Sequence, residues 1–131
     1  VLEQEIAYVD PDNKDQKATH VIGRKENKIV AYARAFPPGE YYEGFSGFGR
    51  VAVDKKERGK GLGIALVEKT VEVCLKNFTN HDIKISAQQH LEKFYVERGF
   101  VCKNERYLED GIPHCAMYYK GKEIKEKEEV L

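Results

Sequence analysis

Apolar runs separated by polar turns divide the chain into short elements, and the spacing of the apolar positions predicts which of them are strands. β-Branched runs and stretches that alternate apolar and polar residues predict strands at 19–25, 29–36, 48–53, 82–87, 101–107 and 115–120. Turn formers such as Pro37-Pro38-Gly39 stand between them, where the chain must reverse direction. Residues 108–113 are predicted to be another such turn.

Helical spacing occurs in two segments. Residues 91–98 form a short predicted helix, and Gly99 follows where a helix end favours a left-handed residue. Residues 1–6 are interpreted as the end of a further helix, and the charged residues 122–131 as a solvated helix or a disordered tail. A longer helix is predicted after Gly61, with one buried stripe formed by Ile64, Val67, Val71, Cys74, Leu75 and Phe78.

A glycine-rich loop joins a predicted strand to the long helix. Gly59, Gly61 and Gly63 stand where the helix begins, so main-chain N–H groups can approach a ligand closely. The first turn of a helix adds N–H groups without helical partners and the positive end of the helix dipole. With Arg58 and Lys60 beside them, these features predict an anion site that suits phosphate. The alternative is a glycine-rich turn with solvated charges.

Known phosphate-binding patterns narrow the choice of ligand. The P-loop pattern GxxxxGK followed by Ser or Thr is absent, and the dinucleotide pattern GxGxxG fails at Ile64 or Leu66, depending on its starting glycine. Residues 58–63, RGKGLG, fit the pattern Arg/Gln-x-x-Gly-x-Gly/Ala after a strand. This string resembles the coenzyme A pyrophosphate loop of the GNAT superfamily of N-acetyltransferases.

Two further segments extend the resemblance to nearly the whole chain. Residues 88–100, QQHLEKFYVERGF, are similar to the superfamily pattern Asn-x-x-Ala-x-x-x-Tyr-x-x-x-Gly-Phe, except that Gln88 and Leu91 replace the usual Asn and Ala. Residues 107–114, YLEDGIPH, look like the ElaA-like branch of that superfamily. The resemblance therefore identifies the chain as a member of this branch.

The resemblance implies an α/β fold of the GNAT acyl-CoA N-acyltransferase type, with a central mixed sheet flanked by helices. It implies a single GNAT domain over residues 1–121, followed by the charged tail at 122–131. In the ElaA-like branch a strand and a helix precede the Glu3-Gln4 pair. We therefore expect an N-terminal strand and helix to be missing from this chain.

Charge and cysteine content exclude some classes of function. Lys plus Arg and Asp plus Glu number 22 each, so the formal net charge is zero; this balance argues against nucleic-acid or membrane-surface binding driven by charge. No apolar run is long enough to span a bilayer. Cys74, Cys102 and Cys115, an odd number, are interpreted as reduced core thiols of a cytoplasmic protein. Neither they nor the histidines show metal-ligand spacing, so we expect no metal site.

Acetyl-CoA is the cofactor that the resemblance implies. The loop and the first helical turn would hold its pyrophosphate, and the main chain of the preceding strand would bind the pantetheine arm like an added strand. An amide side chain after the strand at 82–87 would add a hydrogen bond. The implied cofactor-binding residues are Val51, Val53, Arg58, Gly59, Lys60, Gly61, Gly63, Ile64 and Gln88.

Acetyl transfer to an amine needs a polarised carbonyl, a proton for the departing thiolate and a base for the amine. The resemblance implies that the backbone N–H of Val51 polarises the carbonyl. Tyr95 is the candidate acid, because an ordinary tyrosine pKa of about 10 lies near that of a thiol; a packed structural tyrosine is the alternative. The base stays open, and a water chain or a side chain could supply it, with these candidates: His114, Glu109, Asp110 and Glu3.

The function implied is direct transfer of an acetyl group from acetyl-CoA to a primary amine of a small molecule or a peptide. Asp12 and Asp15 could attract a cationic amine, or could simply form a turn. Arg34 and Arg50 could instead bind a carboxylate, or could pair with Glu109 or Asp110 inside the fold. A non-catalytic acyl-CoA-binding or regulatory module of the same fold is the main alternative, and a structural interaction domain is a third. Tyr95 in register favours the enzyme, which we expect to be a monomer or a homodimer.

Overall fold

The computed structural model describes residues 4–9 and 18–119, the first of these segments by its backbone. The chain divides into two compact units, Val1–Ile83 and Lys84–Leu131. The predicted domain limits at 1–121 remain a prediction. The predicted tail at 122–131 and the Asp12 and Asp15 loop lie outside the described residues.

Four antiparallel strands and one long helix form the first unit. In sheet order the strands are β1 (Gln4–Val9), β2 (Thr19–Lys25), β3 (Lys28–Phe36) and β4 (Phe45–Val53). A turn of 3₁₀ helix, Lys55–Glu57, separates β4 from helix α1 (Leu62–Asn77).

The prediction that residues 1–6 end a helix is wrong for the part that the structure describes. Residues 4–9 form β1, which pairs with β2 from Gln4 opposite Lys25 to Val9 opposite His20. A strand at a sheet edge depends on its neighbour, and this pairing has no signal in the first residues alone. β4 also begins earlier than predicted, at Phe45.

Local sequence fixes the hairpin between β2 and β3. Glu26 and Asn27 both have positive φ values, 50° and 69°. Two successive residues with positive φ give the type I′ geometry whose twist matches that of paired strands, and Asn tolerates this conformation well. The turn between the strands predicted at 19–25 and 29–36 is therefore confirmed, and β3 begins one residue earlier than predicted, at Lys28.

Helix α1 buries a different set of side chains from the predicted stripe. Val67, Val71 and Cys74 are buried as predicted, but Ile64 and Leu75 are 40% and 41% exposed. The helix instead packs Leu62, Leu66 and Val73 against apolar side chains of the sheet: Val21, Val30, Ala31, Ala33, Val51 and Val53.

A polar residue also lies on the buried side of α1. The hydroxyl of Thr70 donates a hydrogen bond to the carbonyl of Leu66 at 2.7 Å, which satisfies it without solvent. The helix carries apolar residues on more than one side, and contact with β3 and β4 decides which of them are buried.

Three antiparallel strands and one short helix form most of the second unit. The strands lie in the order β5 (Asp82–Gln88), β7 (Ile112–Tyr119) and β6 (Phe100–Glu109), numbered along the chain. Helix α2 (Glu92–Glu97) follows a 3₁₀ turn at Gln89–Leu91.

The hairpin between β6 and β7 is tighter than predicted. Only Asp110 and Gly111 form the turn, with φ values of 52° and 79°, and the strands run up to Glu109 and from Ile112. The prediction of a turn over 108–113 and of a last strand starting at Cys115 is therefore wrong at both ends. Asp-Gly is a strong two-residue hairpin signal, and the strand pattern on either side continues across the predicted turn.

The prediction of three reduced core thiols is wrong for two of them. Cys102 on β6 and Cys115 on β7 form a disulfide across the hairpin. Cys74 on α1 is the free cysteine, and burial raises the pKa of its thiol to about 12. Residues 102 and 115 come together only because β6 and β7 pair, so their spacing in the sequence does not indicate a disulfide. The cytoplasmic location inferred partly from these thiols stays a prediction.

None of the helices described by the structure is long and apolar enough to cross a membrane.

Candidate functional site

The glycine loop, defined as residues 58–63, turns the chain from β4 into α1. Gly59 and Gly61 have φ values of 83° and 80°, in the left-handed region that L side chains rarely adopt. A Cβ built on either residue meets no heavy atom within 4 Å. The main chain of the loop is thus open to a ligand, and glycine is required by conformation rather than by crowding.

Helix α1 begins directly at this loop without a side-chain cap. Gly61 is its N-cap residue, the first helical bond runs from the N–H of Ala65 to the carbonyl of Gly61 at 3.1 Å, and the first turn contains no acidic residue. The N–H groups of the first turn and the positive helix end are therefore available to an anion. Gly63 and Ile64, two of the predicted cofactor residues, lie in this turn.

Basic side chains at the loop are held by local contacts. Arg58 is exposed, and its Nε donates a hydrogen bond to the carbonyl of Val53 at 3.3 Å. Lys60 Nζ lies 3.2 Å from Glu57 Oε1, and Lys25 Nζ lies 3.4 Å from the same oxygen. The hydrogen bond from Lys60, followed by that from Lys25, holds the pKa of Glu57 below its ordinary value. Glu57 thus competes with any anionic ligand for Lys60.

A β-bulge lies in β4, the strand that precedes the loop. Ala52 of β4 pairs with Tyr32 of β3, and Gly49 pairs with Arg34. Residues 50 and 51 of β4 therefore stand opposite the single residue 33 of β3. Arg50, one of the two, has a φ of 53°, which is rare for a residue that is not glycine. A bulge interrupts the ladder of backbone hydrogen bonds and leaves its extra residue without a regular pairing.

Val51 is the other bulged residue, and Val53 ends the strand. Both are half-buried, and their side chains pack against the core on the side of α1. The predicted first-unit residues, from Val51 to Ile64, are therefore continuous in space: a bulged strand end, an open loop and an uncapped helix start.

Tyr95 lies on α2 in the second unit and is 6% exposed. Its ring contacts Phe94 and Phe100 edge-on, at centroid distances of 5.2 and 5.7 Å. Burial raises its pKa to about 12, above the ordinary value of about 10 on which the sequence argument relied. The hydroxyl is therefore a weaker acid than predicted, and the close match with the pKa of a thiol, on which the prediction relied, is lost.

A polar cluster, defined as Ser86, Tyr107, Glu109 and His114, joins the three strands of the second unit. The hydroxyl of Tyr107 donates to Ser86 Oγ, and Ser86 Oγ donates to Glu109 Oε1 at 3.4 Å. The other carboxylate oxygen, Oε2, lies 3.5 Å from His114 Nε2. The rings of Tyr107 and His114 stack with centroids 6.1 Å apart and planes 20° apart.

His114 is 5% exposed, although it lies close to the end of the hairpin. Its Nδ1 lies 2.7 Å from the carbonyl oxygen of Ile112. A carbonyl oxygen only accepts hydrogen bonds, so Nδ1 carries a proton. In the neutral imidazole the remaining nitrogen, Nε2, is consequently an acceptor, and it faces the carboxylate of Glu109.

Strand alternation places Tyr95 and the polar cluster on opposite faces of these strands. Tyr107 pairs with His114, whereas Arg106 pairs with Cys115 on the other face, where it forms a bidentate bond to Glu92 of α2 at 2.8 and 3.2 Å. The structure therefore gathers two of the base candidates, His114 and Glu109, and sets the acid candidate apart from them.

The other predicted site residues lie at the end of β5, in the turn between β6 and β7, and outside the described residues. Gln88 ends β5, is half-buried and pairs with His114 in the register, which places it beside the polar cluster rather than in the first unit. Asp110 is one of the two turn residues, in accordance with its structural alternative. Glu3 lies outside the described residues.

Ser86, Tyr107 and the bulge at Arg50 are the features for which sequence reasoning assigned no role. Alternation along the strand at 82–87 placed Ser86 on its polar face, which was a usable signal. Tyr107 stands seven positions before His114, and only the hairpin register shows that the two are paired. The bulge has Arg50, and not a glycine, at the position of positive φ, so the local sequence does not indicate it.

Among the described residues one group has the donors for a metal ion. Atoms of Glu92, Cys102 and Cys115 lie within 4.8 Å of one another. The two sulfur atoms are bonded to each other and the carboxylate is bonded to Arg106. The expectation that the protein binds no metal remains a prediction.

Comparison with known proteins decides the family. Residues 2–120 match the family model described as an acetyltransferase (GNAT) domain. The chain belongs to the GNAT acetyltransferase family. Protein ElaA of Escherichia coli is 38% identical over 119 residues, which cover 89% of this chain and 77% of ElaA. A UPF0039 protein of Synechocystis is 39% identical over 122 residues, 92% of this chain and 78% of that protein. The predicted ElaA-like branch is thereby confirmed.

Solved GNAT structures confirm the predicted fold class. The crystal structure of Escherichia coli ElaA matches with a TM-score of 0.72 at 35% identity, over 84% of this chain and 74% of that chain. An acyl-CoA N-acyltransferase from Pseudomonas aeruginosa matches with a TM-score of 0.72 at 34% identity, over 78% of this chain and 68% of that chain. The acyl-CoA N-acyltransferase fold is therefore the fold of this GNAT chain.

Proposed function

We propose that this GNAT protein is an acetyl-CoA-dependent N-acetyltransferase that transfers an acetyl group directly to a primary amine. The observation that carries the proposal is the glycine loop, whose two left-handed glycines face open space at an uncapped helix start, after the bulged strand β4 and a short 3₁₀ turn. The relatives' family and the name of the Pseudomonas aeruginosa structure support an acyl-CoA as the donor.

Main-chain N–H groups of the glycine loop and of the first turn of α1 would hold the pyrophosphate of the cofactor. Arg58 and Lys60 supply positive charge. Lys60 gives up its ion pair with Glu57 when it binds phosphate. The main chain of Val51, in the bulge, and of Val53, at the end of β4, would hold the pantetheine arm. Gln88 is a further proposed contact through its amide.

The N–H of Val51 polarises the thioester carbonyl. Negative charge develops on that oxygen when the amine attacks, and a fixed main-chain donor stabilises it without reorganisation. The left-handed conformation of Arg50 explains how the following N–H can be turned out of the ladder. Bond formation between the amine nitrogen and the carbonyl carbon is followed by cleavage of the carbon–sulfur bond.

Tyr95 gives its proton to the departing thiolate, and a base takes one proton from the attacking amine. We assign the base to His114 supported by Glu109, because His114 Nε2 is an acceptor in the neutral ring.

The test of the cofactor site uses a matched pair of glycine substitutions. Gly61 and Gly44 have almost the same φ, 80° and 81°, and both have open space where a Cβ would be. Gly61→Val and Gly44→Val therefore carry a similar strain of about 1–2 kcal/mol, but only the first puts methyl groups where phosphate would bind.

Calorimetric titration with acetyl-CoA should show binding by the parent and by Gly44→Val, and affinity at least about 100-fold weaker for Gly61→Val, which corresponds to the loss of charge-assisted bonds to phosphate. Equal weakening in the two variants would trace the effect to strain and overturn the loop assignment. If acetyl-CoA binds but no coenzyme A is released in the presence of primary amines, the protein is an acyl-CoA-binding module and not an enzyme.

A further inference from the structure

The polar cluster presents two hydrogen-bond acceptors side by side. Glu109 Oε2 is 3.5 Å from His114 Nε2, and Nε2 is an acceptor whenever the ring is neutral, because Nδ1 donates to the carbonyl of Ile112. Two acceptors at this separation do not bond to each other. A group that carries several N–H donors and a positive charge satisfies both.

Charge points to the same kind of ligand. Within the described part of the chain no lysine or arginine pairs with Glu109, whose side chain is 56% exposed, and His114 is its ion-pair partner only when protonated. By contrast, the carboxylates of Glu57 and Glu92 are bound by Lys60 and Arg106. Glu109 thus offers a negative charge that solvent and a ligand can reach.

The carboxylate is oriented by two hydroxyl groups. Ser86 donates to Glu109 Oε1 and accepts from Tyr107, so the chain of bonds fixes which carboxylate oxygen is turned towards His114. The ring of Tyr107 covers His114 by stacking. Since each of the three strands supplies a member, the arrangement is set by the sheet register rather than by a loop.

We propose that Glu109 and His114 form the binding site for the acceptor substrate and select an alkylammonium, with Ser86 and Tyr107 as positioning residues; this inference rests on the proposed acetyltransferase function. The ammonium donates one N–H to Glu109 Oε2 and one to His114 Nε2. Transfer of the proton that faces Nε2 leaves a neutral amine with a free electron pair and an imidazolium that Glu109 stabilises. This is the proton that His114 takes in the proposed mechanism, and the proton that the nitrogen loses after it has attacked the carbonyl carbon passes to solvent. The substrate class is therefore aliphatic primary amines, in preference to aryl amines, which are neutral near pH 7.

Benzylamine and aniline test this selection, because they are similar in size but only benzylamine is cationic near neutral pH. The measured quantity is the ratio of kcat/KM for benzylamine to that for aniline. In Glu109→Gln the ratio should fall at least about tenfold, as expected for a lost bond to a charged group. Glu97→Gln, which removes an exposed carboxylate from α2, is the control and should keep the parental ratio. An unchanged ratio in Glu109→Gln overturns the proposal.

The positioning role of the hydroxyl groups has its own readout. Tyr107→Phe keeps the ring over His114 but removes the bond to Ser86, so KM for benzylamine should rise several-fold while kcat changes little. Ser86→Ala should act in the same direction and Ser86→Thr, which restores a hydroxyl, should recover the parental KM. A loss of thermal stability without any change in KM would show that the hydroxyls are only structural.

Direct binding separates this inference from the proposed function. Benzylamine is titrated into the protein while the imidazole NMR signals are followed, and His114→Gln identifies the signal of His114. A saturable shift with benzylamine that is absent with benzyl alcohol and in Glu109→Gln supports the site even if acetyl-CoA does not bind. Acetyl-CoA binding and turnover without this shift would instead retain the enzyme and overturn the amine site.

Discussion

The glycine loop and the polar cluster offer a ligand opposite kinds of atoms. The loop presents main-chain N–H donors beside Arg58 and Lys60, at the start of a helix without an acidic residue in its first turn. The polar cluster presents the carboxylate of Glu109 and the Nε2 acceptor of His114. The first arrangement suits an anion and the second an ammonium, as a reaction between a phosphate-bearing cofactor and an amine requires.

The two regions also differ in how their geometry is maintained. In the loop, positive φ values at Gly59 and Gly61 and the helix start fix the donors, so successive residues determine the site. In the cluster, Ser86, Tyr107 and His114 come from three strands and depend on pairing between them. A site of main-chain donors thus tolerates side-chain changes around it, whereas a site of side-chain acceptors depends on each hydroxyl and carboxylate.

The largest expected effect separates turnover from cofactor binding. Tyr95→Phe should lower kcat by about 100- to 10,000-fold, since a positioned acid contributes that much, while the Kd for acetyl-CoA changes by less than about twofold. Tyr119→Phe is the control, because Tyr119 also packs against Phe100, at 5.5 Å, but lies on β7. Steady-state kinetics and calorimetry measure the two quantities. An undiminished kcat would remove Tyr95 from the mechanism.

The next effect concerns the hairpin that carries the polar cluster. The disulfide closes a segment with a sequence separation of 13, and a cross-link of about this span stabilises a protein by about 3 kcal/mol. Cys102→Ala should lower the free energy of unfolding in urea by this amount. Reductant should destabilise the parent similarly and leave Cys102→Ala unaffected. A parent insensitive to reductant would contradict the disulfide.

A smaller effect follows from the burial of Tyr95. Its folded pKa of about 12 exceeds the unfolded value of about 10, so the folded state retains the proton longer; the stability is fully present below pH 10 and is lost as pH rises towards 12. By pH 11 the loss is about 1.4 kcal/mol. The free energy of unfolding between pH 9 and 11 should therefore fall more in the parent than in Tyr95→Phe. Equal falls would show that Tyr95 ionises normally.

The smallest expected effect concerns the difference in charge between the glycine loop and the polar cluster. Glu57→Gln releases Lys60 from its ion pair, so acetyl-CoA should bind somewhat more tightly, by about threefold, because exposed pairs are weak. The gain should shrink at high salt, where exposed charges are screened. Titrations at low and high ionic strength measure this. Weaker binding in Glu57→Gln would mean that the carboxylate orients the loop instead of competing with phosphate.

Features encoded within a few successive residues were predictable. The glycine loop, the turn after Lys25 and helix α1 depend on φ preferences, helix starts and local periodicity. The family followed from the same local strings, and the fold class followed from the family. The buried face of α1 was predicted only in part, because Ile64 and Leu66 are both apolar and contact with the sheet decides which of them is buried.

The sequence by itself determined a glycine loop that lies open at the start of a helix, because two left-handed glycines and a helix start depend on bonds between near neighbours. Only the tertiary structure decided the rest of the candidate site. The bulge at Arg50 and Val51, the disulfide between Cys102 and Cys115, and the pairing of Tyr107 with His114 all depend on which residue of one strand faces which residue of another. That register is set by the packing of the whole unit, since a slip of one residue would move every side chain to the opposite face.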